Sequence, residues 1–340
     1  MKTQEPTTLK TPFTYLAISL LAYFALWMGI PKAKFLSALA VSIESASKTS
    51  NLPLSILLSL AGIVVLSVPT IAFMAAQVTV VYQFSRLRMG FGRAALTLLG
   101  LLVALGIVVG VMLWRLDVVG KLHRLPSLRE IGIIVGLYKP DALKMLMYAI
   151  MLLSASCVGY LVSLRIKDRN LLLPVVMFAA TIDLWTVTAG PVSSVIEKAP
   201  EIVSAVSAPI PVAGTGAFVP ALMMGMGDPL FMAVVFAAVH RLGLNARRNY
   251  VFVLVIMTIT MMAVLVGLVP YIPALIALAV AVVAANWGQF RLSRQEKIST
   301  AIVAVFLVAT LPLVWHILKP KKPADKPETK ITAPADKAGS

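Results

Sequence analysis

The stretch 222–240, LMMGMGDPLFMAVVFAAVH, is almost wholly apolar but carries one carboxylate, Asp228, with two glycines before it and a proline after it. An ionisable side chain at mid-membrane costs at least about 2.5–3.5 kcal/mol on insertion scales, so it is a functional candidate by default. The whole chain is similarly apolar: 59% of its 340 residues are hydrophobic and 13% are charged, whereas soluble domains carry about 25% charged residues. Apolar runs recur that are long enough to cross about 30 Å of hydrocarbon. The sequence therefore predicts an all-α, multi-pass integral membrane protein.

Run length and flanking charge predict about nine transmembrane helices. The predicted spans are 12–31, 53–83, 94–114, 143–164, 171–190, 218–240, 250–269, 272–289 and 298–317. The second run is longer than one upright span needs and contains Pro69, so we expect one tilted or extended helix there. Residues 1–318 form the predicted transmembrane domain, with its functional core at about 171–289, and the Lys/Pro-rich segment 319–340 is predicted to be a disordered tail.

The net charge of +16 is concentrated in the tail and in short loops between apolar runs. We therefore expect contact with anionic head groups of the lipid bilayer and no binding of nucleic acid. Four short loops on one side of the predicted membrane each carry three basic residues: 84–93, 165–170, 241–249 and 290–297. Such loops usually stay in the cytoplasm. The pattern predicts a cytoplasmic N-terminus and, for a prokaryote, a place in the plasma membrane.

A second carboxylate, Asp183, lies deep in the preceding span, in FAATIDLWTVTAGP. Asp183 follows Leu171 by twelve residues, and Asp228 precedes His240 by twelve. At 1.5 Å per residue, both lie ~18 Å from the same membrane face. Because the two spans are consecutive and antiparallel, side-by-side packing would bring the carboxylates together. Two close carboxylates in a low-dielectric site cannot both ionise cheaply, so they share a proton.

A proton-sharing carboxylate pair is what aspartyl protease chemistry requires. The ionised member takes a proton from the attacking water, and the protonated member supports the oxyanion and protonates the leaving nitrogen. The single Cys157 and three scattered histidines offer no metal spacing, so neither a metal nor another cofactor is expected. Gly225 and Gly227 let another backbone approach Asp228, and Pro229 loosens the helix. Irregular backbone there can pair with an unwound substrate as an added strand.

Three motifs resemble those of the intramembrane aspartyl proteases of the presenilin and signal peptide peptidase family. GMGD, at 225–228, resembles the GxGD motif of that family, and TID, at 181–183, stands where the family has YD one span earlier. PAL, at Pro273, Ala274 and Leu275, opens a later span as the PAL motif of the family does. Their order and spacing agree with the family over about 171–287, so the chain resembles a divergent, prokaryotic-type member.

The resemblance implies a presenilin-like bundle in which Asp183 and Asp228 are catalytic. It further implies that Gly225 and Gly227 shape the substrate path, and that the PAL segment, 273–275, packs beside the site and contributes to substrate binding. The implied substrates are transmembrane segments of membrane proteins or remnant signal peptides. The predicted orientation is similar to that of signal peptide peptidase, which implies single-span substrates with their N-termini inside.

The sequence also departs from the family pattern. Ile182 replaces the usual tyrosine, four predicted spans precede Asp183 where the family has five, and one span, 298–317, follows the PAL helix. The long connection 191–219 is interpreted as a short interfacial helix followed by a mobile Pro/Gly-rich loop, which either gates substrate entry or is a plain connector. Two other functions remain open: a proton- or ion-coupled transporter that uses the same aspartates, and a catalytically inactive scaffold.

Overall fold

The computed structural model describes residues 10–49, 51–118, 124, 126–138, 141–188, 207–210, 222–269, 273–290 and 293–318. The helices are α1 (Lys10–Gly29), α2 (Lys34–Thr49), α3 (Leu52–Ser85), α4 (Phe91–Arg115), α5 (Leu128–Leu137), α6 (Ala142–Ser163), α7 (Leu172–Thr188), α8 (Gly227–Arg241), α9 (Ala246–Leu265), α10 (Ala274–Ala285) and α11 (Arg294–Leu318). Two short strands, β1 (Ser207–Ile210) and β2 (Leu222–Gly225), lie between α7 and α8. The tail, 319–340, lies outside the described residues.

The described residues are mostly helical, which agrees with the predicted helical membrane protein. Five helices in these ranges are long and apolar enough to cross a membrane: Pro12–Lys32, Leu52–Ser85, Phe91–Arg115, Ala142–Ser163 and Ala246–Leu265. The helices around the two aspartates are shorter, with 17 residues in α7, 15 in α8 and 12 in α10. The chain is therefore an integral membrane protein with several spanning helices.

The long second run folds as one continuous helix. α3 extends over 34 residues with Pro69 inside it, as expected for a single extended helix. Proline removes only one hydrogen bond of the helix. Because no water competes for the other backbone groups in an apolar segment, the remaining hydrogen bonds keep the helix intact.

Two helices lie where the sequence was interpreted as connecting loops. α2 follows α1 after a short 3-10 turn and packs against α3. α5 begins with a capping box, in which the Ser127 hydroxyl accepts from the Glu130 N–H and the Glu130 carboxylate accepts from the Ser127 N–H. Lys144 of α6 donates to the carbonyls of Gly136 and Tyr138, at 3.0 and 2.7 Å, and so fixes the end of α5.

The predicted helical span at 218–240 is wrong in its first part. Residues 222–225 form strand β2, and the helix begins only at Gly227. Pro229 cannot donate to the Gly225 carbonyl, and Gly225 and Gly227 are poor helix formers, so the three residues together favour a break that the lone Pro69 does not cause in α3. β2 pairs antiparallel with β1, with Ser207 opposite Gly225 and Ile210 opposite Leu222.

The connection 191–219 therefore contains a strand, at 207–210, where the interpretation placed a helix followed by a mobile loop. The rest of that connection lies outside the described residues, and so does its suggested role in gating.

Helix α8 lies at the centre of the bundle. Residues 232–239 of this helix are all buried, and α8 packs closely against α6. A Cβ at Gly159 of α6 would lie 2.1 Å from the Leu230 carbonyl oxygen and 2.9 Å from the Ala233 Cβ. The two backbones are thus in direct contact, as small residues permit between membrane helices. α7 packs on α10 and α11, and α9 packs on α10.

Candidate active site

Asp183 projects from the penultimate turn of α7 and is partly exposed. Its Oδ2 accepts a hydrogen bond from the backbone N–H of Leu275, at 3.2 Å. Leu275 lies in the first turn of α10, where backbone N–H groups have no acceptor within the helix and the helix dipole favours an anion. The TID segment and the PAL segment therefore meet through a carboxylate and a main-chain donor.

Asp228 lies in the first turn of α8, directly after β2. The backbone of Gly225, the last residue of β2, forms a hydrogen bond with its carboxylate. The residue as a whole is partly exposed, but its carboxylate is buried. Because the helix has just begun, its free N–H groups and its dipole also favour a carboxylate at this position.

The structure brings Asp183 and Asp228 together. Their helices, α7 and α8, are in contact, and the carboxylate of Asp183 acts on that of Asp228 by electrostatic repulsion. Each carboxylate has its own backbone donor, from Leu275 and Gly225 respectively. Of the two carboxylates, that of Asp183 is the more exposed and that of Asp228 is enclosed by the surrounding helices.

The glycines beside Asp228 leave room at the site. A Cβ on Gly225 would meet nothing closer than the Asp228 Oδ2, at 4.0 Å, and a Cβ on Gly227 would have no neighbour within 4 Å. Within the described part of the chain, packing therefore requires neither glycine, and the space beside the carboxylate is open.

The PAL segment contributes through its backbone. Pro273 is the N-cap of α10, Ala274 is its first residue, and both are partly exposed. The Leu275 side chain is buried, with 6% of its surface exposed. Of the three, Leu275 is the residue whose contact with a carboxylate the structure defines.

Ile182, the residue at the position of the family tyrosine, is 46% exposed. Trp185, also on α7, stacks on Phe306 of α11 with ring centroids 6.2 Å apart and an interplanar angle of 8°. α11 therefore packs beside the segment that carries Asp183. The aromatic pair is separated by more than a hundred residues in sequence, and no sequence motif links its members.

A buried pair of amides anchors the far end of α10, and sequence reasoning did not identify it. Asn249 of α9 and Asn286, at the C-cap of α10, are both fully buried. Each side-chain NH₂ donates to the side-chain oxygen of the other, at 2.9 and 2.8 Å. Asn286 also donates to the Val282 carbonyl. α10 is thus held at one end by Asn249 and at the other by Asp183.

The fold and the site together define a class: a helical integral membrane protein that holds two carboxylates side by side among apolar helices. No known protein family, curated protein or solved structure matches the chain. Its function is therefore argued from the geometry of the two carboxylates.

Proposed function

We propose that this protein is an intramembrane aspartyl endopeptidase, a divergent prokaryotic-type relative of presenilin and signal peptide peptidase. One observation carries the proposal: Asp183 and Asp228 lie close enough to repel each other, and each accepts a hydrogen bond from a backbone group at the start of a helix or the end of a strand. In this proposal the bundle is presenilin-like, and nine helices cross the membrane.

The reaction follows from two carboxylates that share one proton. The ionised carboxylate takes a proton from water as the water oxygen bonds to the carbonyl carbon of the substrate. The protonated carboxyl group donates to the carbonyl oxygen as it becomes an oxyanion. When the C–N bond breaks, a proton passes to the leaving nitrogen, and the pair again holds one proton. The backbone donors of Leu275 and Gly225 hold the two carboxylates in place during these steps.

The backbone next to Asp228 offers hydrogen-bond partners to an unwound substrate. A peptide bond within a helix is shielded, so a transmembrane segment must unwind before it can be cut, and the unwound backbone needs new hydrogen-bond partners. The β1–β2 pair ends three residues before Asp228. An extended peptide that adds to this sheet would satisfy its backbone there and would run through the space left by Gly225 and Gly227.

The proposed substrates are single-span segments of membrane proteins and remnant signal peptides. The basic loops support a cytoplasmic N-terminus and, for a prokaryote, the plasma membrane. In that orientation α7 leaves the cytoplasmic face and α8 returns to it, so the expected substrates have their N-termini inside.

Carboxylates among apolar helices also suit a proton relay in a transporter. A catalytically inactive scaffold with the same motifs is the third candidate. The transporter and the scaffold differ from the protease in one testable respect: in either case the purified protein would not cut a peptide.

The test is cleavage of a single-span reporter by purified protein in detergent. Wild type is compared with Asp183→Asn and Asp228→Asn, which keep the side-chain shape and remove the charge. Asp168→Asn is the matched control, because Asp168 caps a short turn before α7 and an asparagine also caps. We expect wild type and the control to cut within the span and both site variants to be inactive while still folded. Equal cutting by a site variant, or no cutting by wild type across several reporters, would overturn the proposal.

A further inference from the structure

A ring cluster joins three helix ends at the side of the bundle opposite β2. Tyr82 of α3, His240 of α8 and Tyr250 of α9 are in contact, with ring centroids 4.6 Å apart for the two tyrosines and 5.2 Å apart for Tyr82 and His240. The Thr79 and Tyr250 hydroxyls are 2.8 Å apart. The last turns of α3 and α8 and the first turn of α9 are therefore fixed relative to one another.

Three arginines converge on this cluster. Arg86 is the C-cap of α3, one turn beyond Tyr82, and Arg247 lies about one turn before Tyr250 on α9. The charges of Arg86 and Arg88 act on His240, and those of Arg86 and Arg247 act on Tyr82.

Arg86 is itself held in place, since it donates to the Gln83 side chain at 3.0 Å and lies over the Tyr15 ring, 5.6 Å from its centroid. Arg88 and Arg247 are exposed.

The positive charge of the three arginines is not balanced within the described part of the chain. The ion pairs defined there, Arg115 with Asp141 and Arg124 with Glu130, involve other elements. No carboxylate is among the charges that act on His240 or Tyr82. The C-terminal ends of α3 and α8 attract cations, but with only about half an elementary charge each. The cluster therefore lacks an anion.

The surface beside Arg247 is apolar and runs down the helix into the membrane. Val251, Val255 and Ile259 follow Arg247 at intervals of four residues on α9 and are 45%, 49% and 61% exposed. Residues four apart lie on one face of a helix. A ligand with a charged head and a long apolar chain fits this surface better than a free anion does.

We propose that Arg86, Arg88 and Arg247 bind the phosphate of an anionic phospholipid, with an acyl chain along Val251, Val255 and Ile259. Guanidinium groups match phosphate oxygens in bidentate geometry. The site is independent of the proposed peptidase activity, because it lies at the other end of α8 from Asp228.

The experiment uses the full-length protein in an uncharged detergent and measures lipid binding by native mass spectrometry together with the melting temperature. Phosphatidylglycerol, phosphatidylcholine and inorganic phosphate are compared. The test variant is Arg88→Gln with Arg247→Gln. The control, Arg165→Gln with Lys167→Gln, removes the same charge from another basic loop outside the cluster.

We expect phosphatidylglycerol to bind and to raise the melting temperature, and the test variant to bind it about 30-fold more weakly, at about 1 kcal/mol per basic residue. The control should bind like wild type. Because both mutated arginines are exposed, the variant should fold, and Arg88→Lys with Arg247→Lys should recover part of the binding. If the test variant and the control lose the same affinity for phosphatidylglycerol, or if wild type binds phosphatidylcholine equally well, the protein has no specific site at these arginines. If inorganic phosphate raises the melting temperature as much as phosphatidylglycerol does, the ligand is a free anion and not a lipid.

Discussion

The backbone N–H of Leu275 donates to the Asp183 carboxylate across 3.2 Å. This contact links two segments that lie 92 residues apart in sequence. It also assigns the PAL segment a physical role, because the donor is a first-turn N–H of α10 that no carbonyl of its own helix can accept. The leucine side chain is buried in the core, so the backbone and the side chain of this residue serve different purposes.

Replacing Leu275 by proline removes that N–H, while proline remains acceptable in the first turn of a helix. A hydrogen bond to a charged group contributes about 1.5–3 kcal/mol, so we expect kcat/KM for a reporter to fall about 10- to 100-fold through this bond alone. Leu275→Ala is the matched variant, since it keeps the N–H and loses the buried side chain. The measurement is reporter turnover by the purified variants, corrected for the folded fraction. Equal losses in the two variants would show that packing, and not the N–H, positions Asp183.

The sequence predicted the long apolar helices because a bilayer leaves the backbone few alternatives. It did not indicate α2 or α5, and it began the helix that carries Asp228 too early. Long apolar runs must satisfy their own hydrogen bonds, and α3 does so over its whole length in spite of Pro69. The proximity of Asp183 and Asp228 was expected from counting residues along two antiparallel helices. Such predictions rest on periodicity and length, which a single sequence contains.

The details around the pair could not be predicted in this way. Strand β2 is as apolar as the helix after it, so composition alone does not separate them. The donor of Leu275 belongs to the backbone, which every residue has, so no residue type indicates it. Asn249 and Asn286 are single amides in separate segments, and only the packing of α9 on α10 pairs them.

Alanine at Gly225 or Gly227 tests the proposed substrate path. An added methyl meets nothing closer than 4.0 Å in either case, so we expect an unchanged or slightly higher melting temperature, as for glycines replaced without strain. If substrate occupies this space, the added methyl displaces it. A loss of about 1.4 kcal/mol in substrate binding at the transition state corresponds to a tenfold lower rate, so we expect cleavage of the reporter to fall at least tenfold. Gly106→Ala, in α4 with equally open surroundings among the described residues, should have the same small effect on the melting temperature and leave cleavage unchanged. Full activity in both site variants would contradict a substrate path beside these glycines.

Alanine at Gly159 should disturb the contact of α6 with α8. Its Cβ would lie 2.1 Å from the Leu230 carbonyl oxygen, and a backbone atom cannot move without its helix. Overpacking of this kind costs about 1–3 kcal/mol, and the displaced helix carries Asp228 two residues before Leu230. We therefore expect a lower melting temperature together with reduced turnover. Gly110→Ala is the control, because nothing lies within 4 Å of its added methyl. Equal melting temperatures for the two variants would contradict the close approach of the helices.

The amide pair between α9 and α10 can be tested by a double-mutant cycle. Asn249→Leu or Asn286→Leu alone leaves one fully buried amide without its partner, at a cost of about 1–3 kcal/mol in the free energy of unfolding. Replacing both removes the unpaired group, so the double variant should lose less than the sum of the single losses, with a coupling of about 0.5–3 kcal/mol.

Because Leu275 lies at the other end of α10, each single variant should also turn over reporter more slowly, and the double variant should recover part of that loss. Melting temperatures and turnover of all four proteins measure both effects. Strictly additive losses would show that the amides do not act as a pair, and normal turnover in a destabilised single variant would show that this end of α10 does not position Leu275 at Asp183.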